Sequence, residues 1–282
     1  MEEGVQGIVY SPTIRQQVVS QTINSKIEDG KTVSASPQTM EMTLVPKLAL
    51  FTWTPTFDAP IEKYAILNLA EGTRFNPIVN GSLMVNQDDR RGWFTESIRV
   101  EICFPDLPQI ELHDDSPKTT EVSGSAHVSN SIDLSMFGET PTGGSGFSHG
   151  VSYSLNDFQV VRKTQDNPPK VVHEYRIGMA EGVVYEGPDD LITRNPGKII
   201  WDVFNSSSKP GRLRNPPDRA KSSFPIISQA AFHAYKAPDH ANLKVTIDAT
   251  VVMVEKTFLS GDFQRVHFQR DFVIDVPFGH VQ

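Results

Sequence analysis

The residues best placed to do chemistry in this chain lie between Thr119 and Val161, and that chemistry is one of solvation rather than covalent change. The segment reads TTEVSGSAHVSNSIDLSMF, then GETPTGGSG, then FSHGVSYSLNDFQVV. In its first arm Val122, Gly124, Ala126, Val128, Asn130, Ile132, Leu134 and Met136 take the even positions, and Glu121, Ser123, Ser125, His127, Ser129, Ser131, Asp133 and Ser135 the odd ones. Alternation of period two marks a strand with two unlike faces. One face here is apolar and the other is mostly serine. In the second arm the phase reverses: Phe147, His149, Val151, Tyr153 and Leu155 are odd, while Ser148, Gly150, Ser152, Ser154 and Asn156 are even.

That reversal is a check on pairing. Residues opposite one another in an antiparallel hairpin have numbers adding to a constant, and an even residue shares a face with an odd one only if the constant is odd. A sum of 283 pairs Met136 with Phe147, Leu134 with His149, Ile132 with Val151, Asn130 with Tyr153 and Val128 with Leu155. Sums of 281 and 285 serve equally, so the alternation fixes the faces and leaves the register open.

Small hydroxylated side chains suit the inside of a narrow water-filled barrel, and an aliphatic and aromatic strip suits lipid outside it. Val128, Ile132, Leu134, Met136, Phe147, Val151, Tyr153 and Leu155 are the lipid-facing candidates, and Ser129, Ser131, Asp133, Ser135, Ser152 and Ser154 the lumen candidates. About fifteen residues per arm at roughly 3.3 Å each give ~50 Å, enough to cross a hydrocarbon layer of ~25–30 Å at a tilt of ~40°. A single hairpin would leave its edge hydrogen bonds unmet in lipid, so insertion requires a closed ring of hairpins from several copies. The competing reading is an ordinary sandwich hairpin with its apolar face on a core; a polar face of small neutral residues rather than the Lys and Glu usual on a solvated face, and the glycine-rich tip, count against it.

Other chemistries find less support. The sequence contains no nucleophile elbow, phosphate loop or pair of histidines at i and i+4, so neither catalysis nor a cofactor is expected. His113, Asp114 and Asp115 suggest a metal, but neighbours on a strand point to opposite faces, and a solvated turn is the expectation. Asp133 is the acid deep in the serine face and predicts a mild cation preference for a pore. His127 and His149 are polar filler or pH-sensitive groups.

Composition bounds the class. With 282 residues there is enough chain for one large β domain or two ordinary ones, and 20 prolines and 19 glycines indicate many turns between short strands. A net charge of −8 argues against nucleic acid, and against anionic membrane held by bulk charge. Cys103 is the sole cysteine, excluding an internal disulfide, and its place in the run Ile98–Phe104 predicts a buried thiol. The first twenty residues carry no apolar stretch of signal-peptide length, so either a leader has been removed or export is unconventional. No run approaches the ~20 apolar residues of a spanning helix, and a water-soluble protomer is expected.

Alternation recurs elsewhere. Leu243, Val245, Ile247, Ala249, Val251 and Met253 alternate with Lys244, Thr246, Asp248 and Thr250; after a turn at Leu259-Ser260-Gly261-Asp262 the pattern resumes in Val266, Phe268, Phe272, Ile274 and Val276. Further strands are expected at Gln17–Ile23, Thr39–Val45, Tyr64–Leu69, Ser82–Val85 and Ser97–Phe104, giving an all-β, antiparallel sandwich. The stretch 185–225, rich in Pro, Gly, Asn, Ser and Arg, reads as a loop-dominated lobe. In it Trp201, Phe204, Arg212 and Arg214 fit either a membrane headgroup layer or, equally, a small lobe core with solvated arginines.

The order of these features resembles the leukocidin/hemolysin family of β-barrel pore-forming toxins over most of the chain. Arg91-Gly92-Trp93 leads to Ile98–Phe104 and the Pro105-Asp106 break. The Ser/Gly hairpin closes on Tyr153-Ser154-Leu155-Asn156-Asp157-Phe158. Trp201-Asp202-Val203-Phe204, Leu213-Arg214-Asn215-Pro216 and Phe224-Pro225-Ile226-Ile227-Ser228 then follow in turn. The resemblance implies an N-terminal latch over residues 1–25, a sandwich cap from 26–118, 161–184 and 226–282, a prestem hairpin over 119–160 stored against the cap, and a membrane-proximal rim over 185–225. It implies a secreted cytolysin that binds target-cell lipid, or a surface receptor or glycan, and assembles into a homo-oligomeric ring. Members that bind choline headgroups carry a tryptophan where this chain has Thr193. Two other readings stay open: a sugar- or surface-binding sandwich that never inserts, and one component of a two-component leukocidin.

Overall fold

The computed structural model describes residues 17–28, 31–53, 62–69, 72–77, 91–107, 109–118, 126–130, 151–155, 157–191, 214–256 and 261–280. Among them the regular structure is strand, with short 3-10 turns and no α-helix. In chain order the strands are β1 (Gln17–Glu28), β2 (Lys31–Leu44), β3 (Lys47–Trp53), β4 (Glu62–Asn68), β5 (Arg74–Asn76) and β6 (Arg91–Cys103). They continue with β7 (Ile110–Ser116), β8 (Ala126–Asn130), β9 (Val151–Leu155), β10 (Phe158–Arg162), β11 (Gln165–Asp166) and β12 (Pro169–Ile177). The last are β13 (Met179–Ala180), β14 (Val183–Val184), β15 (Phe224–Pro225), β16 (Gln229–Ala234), β17 (Ala241–Lys256) and β18 (Gly261–Val276). The expected strand at Ser82–Val85 lies outside the described residues.

Three sheets make the body. A six-stranded sheet runs β10-β12-β6-β17-β18 with β11 added to β12, and two four-stranded sheets run β1-β2-β5-β15 and β3-β4-β16-β7. Every pairing is antiparallel. The six-stranded sheet lays its apolar face against the other two, and ring contacts mark the seam: Phe75 meets Phe268 at 5.4 Å, Phe158 meets Phe224 at 4.9 Å, and Phe104 meets Phe232 edge-on at 5.2 Å. One continuous cluster of buried side chains joins all three sheets. This is the sandwich that strands with a single apolar face require.

The long hairpin β17–β18 follows its alternation closely. Leu243, Val245, Ile247, Ala249 and Val251 are buried, and Leu243, Val245, Ala249 and Val251 stand opposite Ile274, Phe272, Phe268 and Val266. Gly261 and Asp262, expected in the turn, instead pair with Lys256 and Glu255. The ladder therefore runs further than the composition of that stretch suggested.

The expectation for Cys103 is corrected. In β6 and the residue after it, Ile98, Val100, Ile102 and Phe104 face the core, so Cys103 falls on the opposite face and is half-buried. Its cross-strand neighbours are Lys170 and Lys244. Burial raises the thiol pKa against the pull of those two ammonium groups.

Phe232 is buried in β16 and packs on Phe104 across the seam. Phe232→Ala is expected to cost about 3–5 kcal/mol of stability, read as a lower urea midpoint with an unchanged denaturant slope.

Candidate membrane hairpin and the polar cluster at its root

Two pieces of the alternating segment pair as antiparallel strands. β8 and β9 pair antiparallel, with Ala126 opposite Leu155, His127 opposite Ser154, Val128 opposite Tyr153, Ser129 opposite Ser152 and Asn130 opposite Val151. These numbers add to 281, so the 283 pairing is displaced by two residues while the sharing of faces is kept. In register, Val128, Val151, Tyr153 and Leu155 alternate with Ser129, Ser152 and Ser154, with Asn130 at the positions of the first set and His127 at those of the second. Ser131, Ile132, Asp133, Leu134, Ser135, Met136 and Phe147 lie outside the described residues. Among the described residues β8 and β9 pair with each other and with no further strand.

In sequence this pair of strands is flanked on the body by β7 and Lys118 before it, and by Asp157, β10 and Thr164 after it. Asp157 has φ of 65°, and its carbonyl accepts from the amides of Gly178 and Met179 at 2.7 and 3.1 Å. Phe158 and Val160 follow as core residues of β10.

Between these two roots sits a buried charge. Asp115 is fully buried in β7, against the expectation of a solvated turn. The cause is a β-bulge: Ala231 pairs with Asp114 and Phe232 with Leu112, so His113 is the extra residue. An extra residue reverses the phase of the strand. Asp115 consequently faces Ala230 and the interior, where unbroken alternation would have placed Asp114.

The carboxylate is well matched. Arg162 Nε donates to its two oxygens at 2.7 and 2.9 Å, Thr164 Oγ1 donates at 2.7 Å, and Lys118 Nζ lies 3.2 Å away while also reaching Asp114 at 2.6 Å. His173 Nε2 is 3.0 Å from Asp115 Oδ2, and His173 Nδ1 is 2.8 Å from Ser228 Oγ. A carboxylate only accepts, so Nε2 carries the proton; in the neutral ring Nδ1 then accepts from the Ser228 hydroxyl. Burial alone would raise the Asp115 pKa, but hydrogen bonds from His173, Thr164 and Arg162 outweigh it and hold the group well below the usual carboxylate range. Burial is the largest influence on His173 and lowers its pKa, against the attraction of Asp115.

Ser228, His173 and Asp115 stand in the order of a hydrolase relay. All three are sealed from solvent in this conformation, so no substrate carbonyl reaches Ser228 Oγ. What the cluster can do is hold chain segments together: Lys118 lies before the hairpin in sequence, Arg162 and Thr164 after it, and His173 on β12 opposite Arg162. Nothing in the isolated triplet His113-Asp114-Asp115 announced this. A signal was present in Val171, His173, Tyr175 and Ile177, whose alternation places a histidine among core positions.

At the other end of the body, residues 185–191 and 214–223 pack over β6. Tyr185 donates to Glu96 Oε1 at 2.9 Å, and Arg265 grips Glu96 through two nitrogens at 2.7 and 2.9 Å. Arg214 Nη1 donates to the Asp190 carbonyl at 2.7 Å and its amide to Leu191 at 2.8 Å, so it helps to close the lobe on itself. Thr193, Trp201, Phe204 and Arg212 lie outside the described residues. No group of three or more potential metal ligands occurs among the described residues.

No protein-family model and no curated protein sequence matches the chain. Several solved structures are similar to it over most of its length. One described as "Pore forming protein" is 13% identical with a TM-score of 0.47, covering 98% of this chain and 97% of that one. The membrane-inserted form of the Clostridium perfringens NetB toxin is 12% identical with a TM-score of 0.48, covering 94% and 98%. Clostridium perfringens delta-toxin is 10% identical with a TM-score of 0.47, covering 95% and 98%. At such identities and superpositions, function has to rest on the chain's own residues.

Removing one partner of a buried ion pair leaves the others uncompensated. Asp115→Ala is expected to destabilise the protein by about 3–5 kcal/mol at neutral pH, whereas Ser228→Ala should cost about 1 kcal/mol; urea unfolding of both variants checks the ranking.

Proposed function

We propose that this chain is a secreted pore-forming toxin. It holds to a target membrane through the lobe at 185–225, assembles into a ring with further copies, and contributes the hairpin at 119–160 to a transmembrane β-barrel. The observation that carries this reading is the pairing of β8 and β9: by register Ser129 stands opposite Ser152 and His127 opposite Ser154, Ala126, Val128, Val151, Tyr153 and Leu155 alternate with them beside Asn130, and neither strand joins another sheet among the described residues. A two-stranded ribbon is marginal alone in water and inadmissible alone in lipid, because its outer edges carry unmet donors and acceptors. Ring closure by neighbouring hairpins satisfies both edges at once.

In the barrel Val128, Tyr153, Leu155 and Val151 face lipid, together with Ile132, Leu134, Met136 and Phe147 further along. Ser129, Ser152 and Ser154 face water, with Ser131, Asp133 and Ser135. In the lobe Trp201 and Phe204 sit at the headgroup level and Arg212 pairs with phosphate. Arg214 keeps N–H groups beyond the one given to Asp190. No covalent step is required of any of these groups.

Purified chain is expected to release dye from liposomes and to leave rings visible by electron microscopy on the same sample. Ile132→Asp and Val151→Asp should keep a soluble, folded monomer and abolish release; unfolded monomers in both would instead favour a sandwich that never inserts. Release that appears only on mixing with a second protein would identify one component of a pair. In planar bilayers, Asp133→Asn is expected to reduce cation preference, read as a shift of reversal potential towards zero under a salt gradient.

A further inference from the structure

Asp115 touches body residues on both sides of the hairpin in sequence. Lys118 reaches it from the outgoing side, Arg162 and Thr164 from the returning side, and the latter two lie 47 and 49 residues away in sequence. Thr164 Oγ1 also accepts from the Val172 amide at 3.2 Å, tying the returning root to β12. A hairpin whose roots share one buried carboxylate cannot spread them without exposing that charge. We infer that Asp115 is a clasp closing the root of the hairpin, and that His173, sealed against it, makes the clasp open more readily in mild acid. The release of a pore-forming hairpin is the event this would govern, so its biological meaning rests on the function proposed above, while the clasp itself is a property of the soluble protein.

The acid dependence follows from the surroundings of the ring. The charged groups acting on His173 are Asp115, which favours its protonation, and Arg162 and Lys118, which oppose it. From the packed strand β16 and the residue preceding it the ring meets Ser228, a neutral group. Burial, the largest influence, disfavours the imidazolium, so the closed clasp holds His173 neutral. Once the clasp opens, water reaches the ring and its pKa returns to about 6.5. A base whose pKa is lower in the closed state binds more protons in the open one. Closure is therefore favoured above about pH 6.5 and loses ground as pH falls through that value. Asp115 has a lowered pKa and loses its contribution only below the ordinary carboxylate range near 3.9. Among the groups of the clasp, His173 is accordingly the one that responds between pH 7 and pH 5.

Amide hydrogen exchange on the full-length soluble protein, without membrane, tests the clasp directly. After correction for intrinsic rates, peptides covering 115–118 and 158–164 are expected to exchange faster at pH 5.5 than at pH 7.5, by at most about tenfold, the bound set by one group whose open-state pKa is about 6.5. His173→Gln removes the titration and should make the corrected rates equal at the two pH values. Asp115→Asn should accelerate both peptides at either pH; if it fails to fold, Arg162→Gln combined with Lys118→Gln takes its place, since both side chains are partly exposed. Unchanged rates in these variants, or an acid response that survives His173→Gln, would overturn the inference. Dye release measured on the same preparations separates the two ideas: no release at any pH with an intact exchange response would reject the pore and keep the clasp.

Discussion

A sheet that is apolar on one side cannot leave that side in water, and the six strands ending in β17 and β18 present such a side over most of their length. Two four-stranded sheets cover it, and the aromatic pairs along the seam fill the space between. Covering the sheet also settles the backbone, because strands inside a sheet find hydrogen-bond partners on both edges. The ribbon β8–β9 is the exception among the described strands that pair over five residues or more: it is joined to nothing but itself. The body thus covers its apolar faces, while among the described strands the outer edges of the ribbon meet no third strand.

Charge is distributed according to the same division. An ionised carboxylate taken from water loses several kcal/mol that only close donors restore, and Asp115 is surrounded by them. Such an arrangement adds little net stability over an apolar packing of equal volume, so its presence in the seam points to geometry as its use. The bidentate grip of Arg265 on Glu96 differs in kind. It is partly exposed and screened, contributes little energy, and serves to hold the lobe residue Tyr185 over a bulged position of β6.

Much of this could be read from the chain, and the failures share a cause. Wherever alternation ran unbroken, as in Leu243–Val251, both the strand and its inward face were legible, because period two maps directly onto the pleat. It was lost where one residue was added. The bulge at His113 exchanged the fates of Asp114 and Asp115, and no feature of the three residues themselves marks the place. Cys103 differs for another reason: the stretch Ile98–Phe104 has the composition of a continuous apolar run, but its even members alone face inward. The hairpin's faces were legible and its register was not, since sums of 281 and 283 satisfy the same parity. In the lobe, composition disclosed irregular chain but could not disclose that Arg214 bonds to a carbonyl twenty-four positions earlier.

The position of Cys103 has a practical side. It is the chain's sole thiol, set at the end of β6 between β12 and β17, and its raised pKa makes it a slow nucleophile at neutral pH. A cysteine placed by substitution at a solvated position of the ribbon would keep an ordinary thiolate fraction and react first. Spin labels, fluorophores or gold clusters can therefore be attached to chosen points without removing the native residue, leaving the electrostatics of Lys170 and Lys244 around it undisturbed.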